Sequence, residues 1–183
     1  MRCRGTSVDQ RQAMAKFRQF MSLERRRSAG LSPHEFSTWM ELKRALDRAF
    51  GARGAPSGVE IRATPRVPVT IRVSFDAMGA VGSSLMTNLS RGGLFVPIEH
   101  PPDIGTKLEL RITIAEPATE IRAVGVVASK NLGPDLRSDQ RGMGIRFADL
   151  SSEARRLIDD LYESEASRHL EKSLPEEGRR DPA

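Results

Sequence analysis

Arg62-Ala-Thr-Pro-Arg66 sets two arginines either side of a three-residue spacer that ends in proline. Pro65 disfavours the helical region for Thr64, and Pro68 does the same for Val67, so the stretch is read as extended. Two guanidinium forks on an extended segment form a clamp for phosphate, or for the oxygen and nitrogen edge of a guanine. Some twenty residues on comes Asn88-Leu-Ser-Arg-Gly-Gly93, read as a short polar turn between two apolar runs. Asn88 and Ser90 supply small donors and acceptors suited to a purine edge. Gly92 and Gly93 remove bulk where a ligand would press close, and Arg91 could add charge. Each piece has a plainer reading. Asn-x-Ser at a turn also fits an Asx-turn, and paired arginines also fit a solvated face.

Catalytic constellations are not legible. No Ser-His-Asp set, nucleophile elbow or phosphate-binding loop can be read, and no helix pattern follows Arg91-Gly92-Gly93 to make it a dinucleotide fingerprint. His34, His100 and His169 stand apart with no cysteine cluster, so no metal site and no cofactor are expected. The pattern favours a binding protein over an enzyme. The net charge of +5 is uneven: residues 1–60 carry +6, 61–150 carry +2 and 151–183 carry −3. Such a bias favours anionic ligands but is small for a nucleic-acid-binding arm, and no DNA partner is expected. No apolar run reaches the ~18–20 residues of a membrane span. The N-terminus lacks the apolar core of a signal peptide, and Cys3 stands alone, which points to a reducing cytoplasm.

The elements that must position these residues divide the chain. Residues 1–8 show no pattern and are expected to be disordered. From Asp9, Ala13, Phe17, Phe20, Met21 and Leu23 recur at helical spacing. Arg25-Arg26-Arg27 closes this helix; the run suits the helix dipole, and it also fits an acidic partner or a membrane surface. Ser32-Pro33-His34-Glu35 is a capping-box start with proline at the first helical position, and an apolar stripe from Phe36 to Phe50 follows. The two helices make a hairpin over 1–50. It must bury its stripes on the next domain, on a second copy as a homodimer, or on another protein. Residues 51–58 read as a flexible linker. Alternation then predicts strands at Val67–Phe75, Ser83–Thr87, Leu94–Val96, Lys107–Ile114, Ile121–Ser129 and Gly142–Phe147, a small closed antiparallel barrel. Gly125 inside its strand signals a bulge or a close approach. Ser151 or Ser152 caps a final helix striped by Ala154, Leu157, Ile158, Leu161 and Tyr162, expected to plug a barrel mouth or cover an edge. The domain expectation is therefore an appendage at 1–50, a linker at 51–58, a barrel with its helix at 59–170, and a disordered tail at 171–183. The fold class is mainly β with helices.

Residues 62–150 resemble the PilZ domain, the bacterial receptor module for cyclic di-GMP. The resemblance lies in the complete Arg62-x-x-x-Arg66 and Asn88-x-Ser90-x-x-Gly93 motifs, in order and at the expected separation. The Gly142-Met-Gly-Ile-Arg-Phe147 strand and the Asp149-Leu-Ser151 helix start are similar to the family's usual ending. The resemblance implies a six-stranded antiparallel barrel with a C-terminal helix, and cyclic di-GMP bound on the barrel surface. Arg62 and Arg66 would grip phosphates and guanine edges, Asn88 and Ser90 would hydrogen-bond a guanine, and Gly93 would allow close approach. The segment up to Ile61 would wrap over the ligand and move whatever precedes it. Where many binding members have a further arginine this chain has Ala63, which implies weaker binding or a monomeric ligand. The expectation is a non-enzymatic receptor signalling to a protein partner through its N-terminal helices. The alternative is an adaptor in motility or polarity machinery that does not bind the nucleotide. A single-strand-binding barrel is the least favoured reading, because it needs surface aromatics and Phe75, Phe95 and Phe147 all fall on inward faces.

Overall fold

The computed structural model describes residues 6–50, 64–77, 80–115 and 118–172. Cys3, the 51–58 linker, Arg62 and the tail from Ser173 lie outside the described residues. Those described fall into two compact units. One holds the N-terminal helices and the end of the last helix from Ala166; the other runs from Arg66 to Glu165.

In the first unit, α1 spans Thr6–Arg26, so the helix starts within the stretch read as patternless. A 3₁₀ turn over Arg27–Ala29 and Gly30, at φ 98°, end it. The helix α2 spans Pro33–Ala49. Its start is the capping box the sequence predicts. The Glu35 N–H donates to Ser32 Oγ at 3.3 Å, and the Ser32 N–H donates to Glu35 Oε2 at 2.9 Å. Phe17, Phe20, Met21 and Leu23 of α1 are buried, as are Trp39, Leu42 and Leu46 of α2. Phe20 stacks on Trp39 with ring centres 6.0 Å apart, and the Trp39 indole N–H donates to the buried Glu24 carboxylate at 2.8 Å. Arg27 lies 5.1 Å from the Trp39 ring centre and 3.6 Å from Glu24, so the buried acid has both a hydrogen bond and a cation beside it. The same unit contains buried Ala166 and Leu170, and the His169 ring meets Phe50 at 5.7 Å. A third helical segment thus joins the hairpin, which the sequence reading did not foresee.

The capping box gives the first testable outcome. Bonds from the Ser32 backbone, then the Ser32 hydroxyl, then Arg26 lower the Glu35 carboxyl from 4.5 to about 2. A lowered folded-state value means stability that is present above 4.5 and is lost as the pH falls through about 2. Glu35→Gln is expected to be less stable than the parent chain at pH 7 and equal to it at about pH 2. Denaturant midpoints of both proteins at the two pH values check this; a gap independent of pH would contradict it.

In the second unit, six strands close into an antiparallel barrel of order β1-β2-β3-β6-β5-β4. They are β1 (Val67–Ala77), β2 (Ala80–Ser90), β3 (Gly93–Pro97), β4 (Lys107–Ile114), β5 (Thr119–Asn131) and β6 (Gly142–Phe147). Val67, Val69, Ile71, Val73 and Phe75 point inward along β1, and Leu108, Leu110 and Ile112 do so along β4, as alternation predicts. The strand read as Ser83–Thr87 is longer, reaching Ala80 at one end and Ser90 at the other. Gly125 meets the expectation of close approach: a Cβ there would stand 2.4 Å from Ile145 Cγ2. The irregularity of β5 lies further on, between Val127 and Ser129. The last helix, α3 (Ser152–Lys172), is capped by Ser151, whose Oγ accepts from the Ala154 N–H at 3.0 Å. Ala154, Ile158, Leu161 and Tyr162 are buried on it, while Leu157 is half-buried.

Candidate functional site

The barrel brings the second motif against the end of the first. Val67 pairs with Leu89 and Pro68 with Asn88. Arg66, exposed at the foot of β1, therefore stands one residue outside the Val67–Leu89 pair, level with Ser90. Pro68 has no N–H to give β2. Between Pro68 and Ile71, β1 carries one more residue than β2 does, a bulge just inside the arginine end of the strand. Both features loosen the ladder where the first motif enters the barrel. Arg62 lies outside the described residues, so only Arg66 can be placed.

Asn88-Leu-Ser-Arg-Gly-Gly93 is a strand end rather than a free turn. Asn88 to Ser90 close β2, Arg91 and Gly92 make a tight connection, and Gly93 opens β3 opposite Ser90. Leu89 is fully buried, so Asn88 and Ser90, each half-buried, point to the outer face. The Ser90 hydroxyl donates to the Gly93 carbonyl at 3.0 Å, which fixes its rotamer and leaves its lone pairs to accept. The Asn88 amide reaches Thr87 Oγ1 only at 3.5 Å, a long contact that an incoming acceptor could displace.

Gly93 has a structural duty of its own. A Cβ there would lie 2.1 Å from the Ile145 carbonyl oxygen of β6. Beside Gly92, in contrast, nothing lies within 4 Å. The barrel wall dictates Gly93, and Gly92 faces open space.

Arg91 is engaged within the protein. Its Nε and Nη2 donate to the two carboxylate oxygens of Asp159 at 2.6 Å each, a bidentate pair that ties the β2–β3 connection to α3. A ligand contact by Arg91 has to compete with this pair. The pair is partly buried, with side-chain exposures of 20% and 26%. Arg91→Ala and Asp159→Ala are each expected to cost about 1–2 kcal/mol of stability. The double variant should cost little more than either single one; strictly additive losses in a double-mutant cycle would contradict the pairing.

One cation near the motif was missed by the sequence reading. Arg146 is exposed on β6 and pairs by register with Gly93. Arg66, Ser90, Gly93 and Arg146 thus form a row across β1, β2, β3 and β6, about 14 Å from end to end at the usual strand spacing. Its signal in the sequence was parity alone: it stands between inward Ile145 and Phe147. A separate concavity of about 330 Å³ opens elsewhere on the outer wall, over β1 and β4. Asp76, Glu109 and Glu120 line it against a single Arg111, a charge balance that repels anions. Phe75, Phe95 and Phe147 are buried, so they offer no platform for stacked bases. Among the described residues no helix is long and apolar enough to cross a membrane.

No curated protein matches the chain significantly. Among solved structures, the inhibitor of motility MotI/DgrA of Bacillus subtilis is similar at 21% identity and TM-score 0.49, over 63% of this chain and 51% of that one. The PilZ domain of YcgR with c-di-GMP from Escherichia coli is similar at 13% identity and TM-score 0.48, over 59% and 93%. PlzA of Borreliella burgdorferi in complex with c-di-GMP is similar at 18% identity and TM-score 0.40, over 73% and 50%. The chain thus spans about half the length of MotI, and none of these likenesses bears on activity. The PilZ domain family model matches residues 60–164. That match takes in the whole barrel and much of α3, and the chain therefore belongs to the PilZ domain family, a cyclic di-GMP receptor family.

Proposed function

We propose that this protein is a non-enzymatic receptor for cyclic di-GMP that signals by repositioning its N-terminal segment toward a protein partner. The observation that carries the reading is the register that sets Arg66 beside Ser90, one residue beyond the Val67–Leu89 pair. An exposed guanidinium at a strand end can lay its fork on a phosphate or on the O6/N7 edge of guanine. Asn88 and Ser90 meet the polar edge of the base, and Gly93 keeps the floor of the site free of a side chain. Arg62, one spacer upstream, closes on the same ligand, and Arg146 adds positive charge from β6; Arg91 adds to it only by opening its pair with Asp159. Engaging Arg62 and Arg66 together fixes the segment 59–66 against the barrel and so redirects the helices before it. Ordering that segment costs about 1–2 kcal/mol per residue, which the charged contacts have to offset. A cytoplasmic location, where the nucleotide is available, fits this role.

Titration with cyclic di-GMP by calorimetry tests the reading. The parent chain should give a saturable heat, and Ser90→Ala should bind about three- to tenfold more weakly, the worth of one neutral hydrogen bond. No heat from the parent chain would leave the second reading, an adaptor that works without the nucleotide. One observation favours that alternative: the Arg91 fork is already held by Asp159.

A further inference from the structure

Arg91 sits inside the second motif, between Ser90 and Gly93, yet its fork is turned to another element. Nε and Nη2 donate to the two oxygens of the Asp159 carboxylate at 2.6 Å each. A guanidinium takes two oxygens of a phosphate in the same planar, paired way. On this arginine the carboxylate therefore holds the place that a phosphate would take. Arg66 and Arg146 are exposed, whereas the Arg91 side chain is only 20% exposed.

The fixed half of the pair is Asp159. Ile158, Leu161 and Tyr162 are buried on α3 and anchor that part of the helix. The next acid along, Asp160, is exposed and faces Arg156 at 3.9 Å. The movable half is Arg91, a long side chain on a two-residue connection. Beside it the space is open, since a Cβ on Gly92 would meet nothing within 4 Å. Swinging the guanidinium from Asp159 to an anion beside Ser90 takes rotation about side-chain bonds alone, and the β2–β3 ladder stays as it is.

We infer that Asp159 is a built-in competitor for the nucleotide's phosphate, and that its hold on Arg91 sets the concentration at which the receptor responds. The inference rests on the receptor reading above and deepens it. A ligand that needs an open state binds more weakly in proportion to how little of that state is populated. With the pair closed about nine-tenths of the time, the apparent affinity falls about tenfold. A pair that served only to fasten α3 to the β2–β3 connection gives a different result. Its loss lowers stability and leaves the affinity for the nucleotide as it was.

Calorimetric titration of the full chain with cyclic di-GMP is the test, and Asp159→Asn is the main variant. The amide keeps the shape of the side chain and removes the charge that holds the fork. Asp159→Asn should bind about tenfold more tightly than the parent chain. Asp160→Asn removes the same charge one residue away and should change the affinity less than about twofold. In an Arg91→Ala background, Asp159→Asn should bring no further gain, because no fork is left to release. Asp159→Ser takes its place where Asp159→Asn melts below the titration temperature. Saturable binding by Asp159→Asn with none by the parent chain would support the proposal in its strongest form. A parent chain that binds as well as or better than Asp159→Asn would overturn it and leave the receptor reading standing. The same holds for an equal gain from Asp160→Asn, or for a gain that persists without Arg91. No binding by any of these chains would overturn the receptor reading and this inference with it.

Discussion

Replacing Arg66 with alanine is expected to weaken cyclic di-GMP binding by about ten- to a hundredfold and to leave the melting temperature where it was. The first half follows from the chemistry of the fork. A hydrogen bond to a charged group is worth about 1.5–3 kcal/mol, and a guanidinium on phosphate or guanine makes two bonds in one plane. The second half follows from position. Arg66 is exposed and precedes the first strand pair, so its side chain fills no part of the barrel interior. Arg66→Lys should recover little of the affinity, because an ammonium keeps the charge and loses the paired geometry. Calorimetry together with a thermal melt reads both halves. Unchanged affinity in Arg66→Ala would remove the residue from the site; loss of fold would show that it serves the barrel instead.

The second large effect is on stability. Gly93→Ala should destabilise the barrel by about 3 kcal/mol or more, whereas Gly92→Ala should stay within about 0.5 kcal/mol of the parent. The two glycines are neighbours in one motif, yet their surroundings differ. A methyl at 93 would meet the carbonyl oxygen of Ile145 at 2.1 Å, its carbon at 3.1 Å and the Arg146 Cα at 3.2 Å. All three are backbone atoms, so no side-chain rotation relieves the clash. β3 would have to move away from β6 and give up the pairing that closes the barrel. A glycine needed only for a ligand would give the opposite pattern, a stable variant that fails to bind. Equilibrium unfolding in denaturant separates the two, and a Gly93→Ala chain as stable as the parent would contradict the steric account.

These expectations show what the sequence carries and where it falls silent. β1 and β4 were legible because one face of each is buried and the alternation runs unbroken. β2 was read as less than half its length for two reasons. The bulge opposite it puts Leu89 and Met86, three residues apart, both inside. Val81 and Leu85 then lie exposed, at 75% and 47%, where alternation assigns polar residues. Arg66 and the Asn88–Gly93 segment were legible as residue types, and the register explains why they stand together. The steric duty of Gly93 was hidden, because it depends on a strand more than fifty residues later. Arg91 was read as a ligand candidate, and its partner Asp159 lies 68 residues away on α3. The grouping of Ala166, His169 and Leu170 with the hairpin was equally out of reach, since the apolar period of α3 runs on without a break.

The central claim is that the nucleotide sits where β1 begins and β2 ends. Amide-resolved NMR of the full chain, titrated with cyclic di-GMP, examines that place directly. The predicted result is saturable shifts concentrated at Arg66, Asn88 to Gly93 and Arg146, with the acidic wall of Asp76, Glu109 and Glu120 unmoved. Shifts centred on that acidic wall, or a spectrum that does not change at saturating nucleotide, would contradict it.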